Sequence, residues 1–311
     1  MRLFSVQTSS IKRHSLPSET APDGIIGGMT KHASSHTGTS TRTSTGKSTL
    51  SLVSLNLLDD LTFWDEREPL IVRELEYLQP DVIAFQEVRM SINNAHKIAE
   101  RLGGYEVFLC PKTGERGRRD ALALLSRLPV QQHDKFALGH QDRVALRVVI
   151  EHQGAIWHIA TTHTYWHPLD DRTRLHEAKR LAEWLPKNGV ICGDFNAEPH
   201  YPSMLKMKER FRSAHVVKHG HEPTYTCPTP LFRGAGARNT ARRTALNMAG
   251  LVSKRKLETW TGVIDFIFVD QAIEVQDCQV AFDQPAGHNR RMYASDHLGL
   301  YARLQQDCTT A

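Results

Sequence analysis

The sequence has no uninterrupted apolar run of about 18 residues, so no membrane-spanning helix is expected. Its five cysteines, Cys110, Cys192, Cys227, Cys278 and Cys308, are odd in number, scattered and never in C-x-x-C spacing. That argues against a disulfide framework and against a cysteine-held zinc, and fits reduced thiols inside a cell. No Asn-x-Ser/Thr acceptor site occurs, which agrees. No segment repeats at a fixed period, so a solenoid is set aside. A cytoplasmic or nuclear location is expected. An organelle leader is the alternative, because the first eighteen residues lack acids and carry Arg2, Lys12 and Arg13.

Hydrophobic periodicity is also missing from residues 1–47, which are rich in Ser and Thr and contain several Gly and His. They read as a disordered N-terminal tail. Gly46-Lys47-Ser48-Thr49 resembles the end of a P-loop, but Thr41 stands where its first glycine belongs, and a strand pattern follows. The net charge of +5 is uneven: residues 1–50 hold six Lys/Arg and two acids, and residues 226–260 hold seven and one. The rest of the chain is mildly acidic. A basic patch points to a polyanionic partner.

The remainder, 48–306, is patterned throughout, with a short C-terminal tail at 307–311. Strands are expected at Leu50–Asn56, Asp81–Gln86, Tyr105–Leu109, Ala121–Ser126, Arg143–Ile150, Ile156–Thr162, Gly189–Gly193, Val263–Val269, Val275–Phe282 and Leu298–Leu304. Helices are expected at Asp65–Leu78, with Pro69 in its first turn, then around 92–102 and at Arg172–Leu185. Alternating strands and helices give way to hairpin-like strand pairs. The pattern suggests an α/β fold in which two mixed β-sheets pack together with helices outside.

Polar residues recur where these apolar strands stop. Ile191-Cys192-Gly193 ends abruptly in Asp194-Phe195-Asn196, whose two polar side chains share a face by the period of two. Gly193 allows a close backbone approach. Asn56, Glu87 and His163 end other strands, Asp296-His297 precede the last one, and Asp265 interrupts the apolar run VIDFIFV. A carboxylate in such a setting is costly unless it meets a metal, a cation or hydrogen-bond donors. Carboxylates and amides without a cysteine or histidine cluster make an oxygen-ligand set, suited to Mg²⁺ or Mn²⁺. Mg²⁺ takes one or two protein carboxylates beside water and phosphate, which leaves the other acids and the histidines for proton transfer and phosphate contact.

The ordered series NLL, QEV, THT, GDFNAEP, IDFIF and SDHLGL resembles the endonuclease/exonuclease/phosphatase superfamily over roughly residues 48–306. The resemblance implies a DNase I-like, four-layered α/β sandwich and Mg²⁺-dependent hydrolysis of phosphoric esters. It implies Glu87 as main metal ligand with Asn56 and Asp296 beside it. Asp194 would orient or deprotonate the attacking water, and Asn196 would hold that water or a phosphate oxygen. His297 would contact the phosphate with its ring set by Asp265, and His163 would stand on the phosphate's opposite side. The second acid that some members add near the first Asn is matched only loosely by Asp59 and Asp60, so one essential Mg²⁺ is expected, with a second cation as the alternative and Mn²⁺ as a substitute.

Substrate choice is expected to lie in loops. Tyr165 follows His163, with Trp166 next to it. Arg118 and Arg119 lie in a glycine-containing basic loop. Arg242 and Arg243 lie in the basic stretch between Tyr225 and Trp260. Arginine grips phosphate bidentately, and aromatic rings stack on bases. A nuclease acting on DNA or RNA as a monomer is the reading. The alternatives are a phosphomonoesterase or lipid-headgroup phosphodiesterase of the same superfamily, and a non-catalytic nucleic-acid-binding module.

Overall fold

The computed structural model describes residues 46–140, 142–231 and 261–308. Most of the expected N-terminal tail lies outside these residues. So do Arg242, Arg243, Trp260 and nearly all of the basic stretch, and the last three residues of the chain.

Among the described residues, twelve strands form two six-stranded mixed sheets. The first sheet contains β1 (Lys47–Asn56), β2 (Val82–Arg89), β3 (Glu106–Pro111), β4 (Asp120–Ser126), β11 (Glu274–Ala281) and β12 (Gly299–Asp307), in the order β11-β12-β1-β2-β4-β3. The second contains β5 (Val130–Ala137), β6 (Val144–His152), β7 (Ala155–His163), β8 (Gly189–Asp194), β9 (Phe211–Ser213) and β10 (Asp265–Asp270), in the order β5-β6-β7-β8-β10-β9.

Alternation along the strands builds three apolar layers. Leu50 and Leu52 of β1 face inward with Leu122 and Leu124, against Leu146, Val148, Trp157 and Ile159 of the other sheet. Val53 and Leu55 face out, under α1 (Trp64–Leu78) and α2 (Asn94–Leu102). Ala160, Ile191 and Phe268 face out of the second sheet, under α3 (Asp171–Trp184) and α4 (Pro202–Lys208). The result is helix, sheet, sheet, helix, the four-layered sandwich expected. A short helix α5 (Ala214–His219) follows β9.

Some local expectations needed correction. Pro69 lies inside α1 rather than in its first turn. Asp65, whose carbonyl would have received the missing amide's bond, is exposed, as is Pro69. Water can satisfy that carbonyl, so the helix continues. The basic loop before β4 forms a 3-10 helix, Gly114–Arg118. β10 begins at Asp265 instead of running through it. β5, α4, β9 and α5 had no sequence signal strong enough to be expected; β5 is a largely exposed edge strand without a clean apolar alternation.

Candidate active site

β1 and β2 run parallel, as do β7 and β8, so Asn56, Glu87, His163 and Asp194 come to the same end of the sandwich. β10 runs antiparallel to β8, which is why its first residue belongs there too. His163 pairs in register with Asp194, and Asp194 with Asp265. Directly paired residues point to one side of a sheet, so these three line one face in a row. Gly193 makes the row possible. Its φ is +139°, and a Cβ there would lie 2.0 Å from the Thr162 carbonyl oxygen.

Glu87 reaches the cleft by a different device. The register of β2 on β4 shifts between Phe85 and Val88, and Glu87 has φ +57°. A bulge of this kind re-aims one side chain at the cost of a backbone conformation that non-glycine residues rarely adopt.

The two sheets meet through these side chains. Asn56 Nδ2 donates to Asp194 Oδ2 at 3.1 Å. His163 Nε2 lies 3.4 Å from Asp194 Oδ2 and 3.9 Å from Glu87 Oε1. His297 Nε2 lies 3.9 Å from Asp194 Oδ2, while its Nδ1 lies 2.9 Å and 3.1 Å from the two oxygens of Asp265. Asn196, at φ +48°, donates its amide N–H to Asp194 Oδ1 and its side-chain NH₂ to the Thr164 carbonyl. Asp296 is buried, and Ser295 Oγ, which donates to the Asn56 carbonyl at 2.6 Å, lies 3.3 Å from Asp296 Oδ1. Seven of the eight expected polar residues are thus joined by direct contacts, and Asp296 adjoins them through Ser295.

Protonation follows from burial and neighbours. Burial pushes the Asp194 carboxyl up to about 7, with Asp265 and Glu87 adding to the rise. Burial alone would lower His297, but Asp265 overrides it and holds the imidazole well above its usual value. Burial likewise opposes the charge on Glu87, yet Lys112 and the Asp59 N–H, 2.8 Å from Oε2, keep it below the usual carboxylate range.

The donor set fits a hard divalent cation. Glu87 commits Oε2 to a backbone amide and turns Oε1 toward His163, at 3.9 Å, while Asn56 and Asp296 add buried side-chain oxygens at the same end of the sandwich. Among the described residues, Asp194, Asp265 and His297 also gather their ligand atoms within 4.8 Å. There, both Asp265 oxygens are turned onto His297 Nδ1, which is the geometry of a ring-orienting pair rather than of a metal cage. Asp59 does not enter the cleft; its carboxylate pairs with Arg119 at 2.6 Å and Arg89 at 3.7 Å. Asp60 caps the turn at Thr62.

The expected substrate residues divide. Tyr165 is only 7% exposed and packs against neighbouring rings, so its own face is not the contact surface. Arg118 and Arg119 are exposed, and Arg119 is paired with Asp59. Arg242 and Arg243 lie outside the described residues.

Several residues at the site had no role in the sequence reading. Lys112 and Arg143 are buried cations beside the acids, and Lys112 forms an ion pair with Asp120. Thr226 Oγ1 accepts from the amides of Ile264 and Asp265, and its carbonyl accepts from Leu298. Thr229 bonds the carbonyls of Ser295 and Asp296. This pair ties the Asp265 strand to the Asp296-His297 turn. Arg67 of α1 donates to the carbonyls of Leu57, Asp60 and Ala294, joining the loops that carry Asn56 and Asp296. The lone visible signal for Arg67 was an arginine on the apolar face of a helix.

A family model described as the Endonuclease/Exonuclease/phosphatase family matches residues 60–297. The "Probable RNA exonuclease NGL3" of Saccharomyces cerevisiae is 24% identical over 184 residues, covering 47% of this chain and 35% of that protein. The chain therefore spans about a third of that relative's length. Among solved structures, the human Nocturnin catalytic domain with bound sulfate superposes with a TM-score of 0.61 at 21% identity, over 83% of this chain and 93% of that one. TDP2 of D. rerio in complex with single-strand DNA product gives 0.65 at 15% identity, over 82% and 98%. At such identities the two structures establish the fold.

Proposed function

Because the chain belongs to the endonuclease/exonuclease/phosphatase family, whose members are phosphoric ester hydrolases, we propose that it cleaves phosphodiester bonds of nucleic acid by direct attack of water. The observation that carries this reading is that Asn56, Glu87, His163, Asp194 and His297 are joined across two sheets by a chain of contacts of 3.1–3.9 Å, three of them to Asp194. Asp194, with its carboxyl raised to about 7, is poised to take a proton from water near neutral pH. Asn196 is fixed by two hydrogen bonds beside it and orients the attacking molecule. His297, kept protonated by Asp265, donates from Nε2 to the phosphoryl oxygen as charge builds there. His163 faces the same phosphate from β7.

Glu87, Asn56 and Asp296 would hold Mg²⁺ or Mn²⁺. Bound there, a divalent cation supplies charge stabilisation to the phosphoryl and leaving oxygens. With Asp59 and Asp60 engaged elsewhere, the residues suit one cation.

Nucleic acid is favoured over other phosphoric esters by the basic stretch at 226–260 and the exposed Arg118 and Arg119. The relative named as an RNA exonuclease and the TDP2 complex with DNA lend support. A panel tests it: single-stranded RNA and DNA, an inositol phosphate and sphingomyelin, each with Mg²⁺, Mn²⁺ or EDTA. Cleavage of an oligonucleotide that needs the metal and weakens steeply with salt is expected. Turnover confined to sphingomyelin or the inositol phosphate would refute the substrate assignment.

A further inference from the structure

The five residues from His163 to His167 are held from beneath by three buried charged side chains that the chemistry above does not use. Arg143 Nη1 donates to the His163 carbonyl at 3.1 Å. Arg174 Nη1 donates to the carbonyls of Tyr165, at 3.3 Å, and His167, at 2.5 Å. Glu177 Oε2 accepts the Tyr165 N–H at 2.8 Å. Arg143, Arg174 and Glu177 are all at most 3% exposed. Burying charged groups is expensive, and these three spend most of their bonds on backbone, with Arg174 Nε also paired to Asp171 at 3.1 Å. They fix the path of the chain rather than any one side chain.

That path sends alternate side chains to different places. His163 turns inward, to within 3.4 Å of Asp194. Tyr165 is the buried hub of a ring cluster. His140 lies 5.6 Å from it, Trp166 6.2 Å, and His167 6.3 Å and nearly parallel, at 13°. Trp166 and His167 are themselves 5.4 Å apart and half-buried, while His140 is exposed. A shelf of aromatic rings, immobilised by buried charges, therefore begins three residues from a side chain that faces the reacting phosphate.

We propose that Trp166 and His167, backed by Tyr165 and His140, form a stacking subsite for one unpaired nucleobase next to the scissile phosphate. This rests on the nucleic-acid reading above and narrows it to strands that are single at that point, since a base inside a duplex has no open face to offer. Aromatic rings also attract quaternary ammonium headgroups, so phosphocholine serves as the competing ligand in the test.

Binding of the full-length chain to fluorescent single-stranded oligonucleotides in EDTA tests the subsite without chemistry. One oligonucleotide carries ordinary bases, and a set of others each carries one base-less residue at a successive position. The wild type should lose about tenfold in affinity at one position of the set. Trp166→Ala should abolish that difference, and Trp166→Phe should keep most of it. His167→Ala, a smaller disturbance of packing, should reduce it. Equal weakening of all oligonucleotides by Trp166→Ala, no position sensitive to base loss in the wild type, or displacement by phosphocholine would each overturn the subsite. Cleavage of the same oligonucleotides with Mg²⁺ is read in parallel. A chain that binds with the expected pattern but cleaves none of them contradicts the hydrolytic reading and leaves the subsite standing.

Discussion

Asp265 presents both carboxylate oxygens to Nδ1 of His297, at 2.9 and 3.1 Å, and both residues are buried. The pair fixes which ring nitrogen carries its proton toward Asp265 and leaves Nε2 aimed at the cleft. Replacing Asp265 by Asn keeps the shape and removes the charge. The expected results are a fall in kcat on the order of 10²-fold and a drop of the His297 pKa toward its ordinary value. Steady-state kinetics and NMR titration of the ring read these two effects. Unchanged titration with unchanged kcat would mean that the pair serves only the fold.

Glu87 is the carboxylate placed by backbone strain rather than by simple strand alternation, and it is the main candidate ligand. Treatment with EDTA should abolish activity, and added Mg²⁺ or Mn²⁺ should restore it. In Glu87→Gln, the metal concentration needed for half-maximal activity should rise about tenfold or more. Isothermal titration with Mn²⁺ gives an independent check. An unaltered metal requirement would remove Glu87 from the cation site.

Glu177 carries a pH signature. Burial pushes its carboxyl up to about 7, against the opposing pull of the Tyr165 N–H, Arg143 and Arg174. The folded state therefore binds this proton more tightly than the unfolded chain does. Its contribution to stability is complete below the ordinary carboxylate pKa and is lost as pH rises through about 7. Glu177→Gln mimics the neutral form and keeps an acceptor for the amide. Relative to the wild type, it should gain stability between pH 5 and pH 8.5, by about 3 kcal/mol at most. Urea unfolding at the two pH values measures this. A stability difference that does not change with pH would contradict it.

Arg67 links the loops around Asn56 and Asp296 through three carbonyls. Arg67→Leu leaves those acceptors without their donor, at a cost of about 3 kcal/mol in stability. Arg67→Lys retains the charge but lacks the planar fork, so it should recover only part of the loss. Both variants should also need more Mg²⁺, because the metal-side loops would no longer be tied together. Denaturant midpoints and metal activation curves report the two effects.

Gly193 separates Thr162 and Asp194 with no space for a side chain. Gly193→Ala has to displace β7 from β8, at the row that aligns His163, Asp194 and Asp265. The expected product is poorly soluble or, if folded, far less active than the wild type. Circular dichroism and activity of the soluble fraction decide.

Much of the cleft could be read from the sequence because parallel strands bring their ends together. A polar residue after an apolar run marks such an end, and Asn56, His163 and Asp194 were visible on that signal alone. Glu87 was visible as a strand-end acid, but the bulge that aims it was not, because a register shift depends on the partner strand. Asp265 was conspicuous as an acid in an apolar run, although it begins its strand. The sequence offered no means of knowing that β10 is antiparallel to β8 and so places Asp265 opposite Asp194. Arg67, Arg143, Arg174 and Glu177 escaped notice for a related reason. Their partners are mostly backbone groups on other elements, and a charged residue on a helix or at a strand start reads as a solvated one. Tyr165 was correctly linked to the loop after His163, but burial made it the support for Trp166 and His167.

On the proposed function, residues from both sheets act together on one phosphate with a divalent cation. The most direct measurement is single-turnover cleavage of a single-stranded oligonucleotide at saturating Mg²⁺ by the wild type and by Asp194→Asn. Cleavage by the wild type and a loss of about 10²-fold or more in the variant, with metal binding retained, are expected. Cleavage by Asp194→Asn at a near-normal rate would contradict the proposed function.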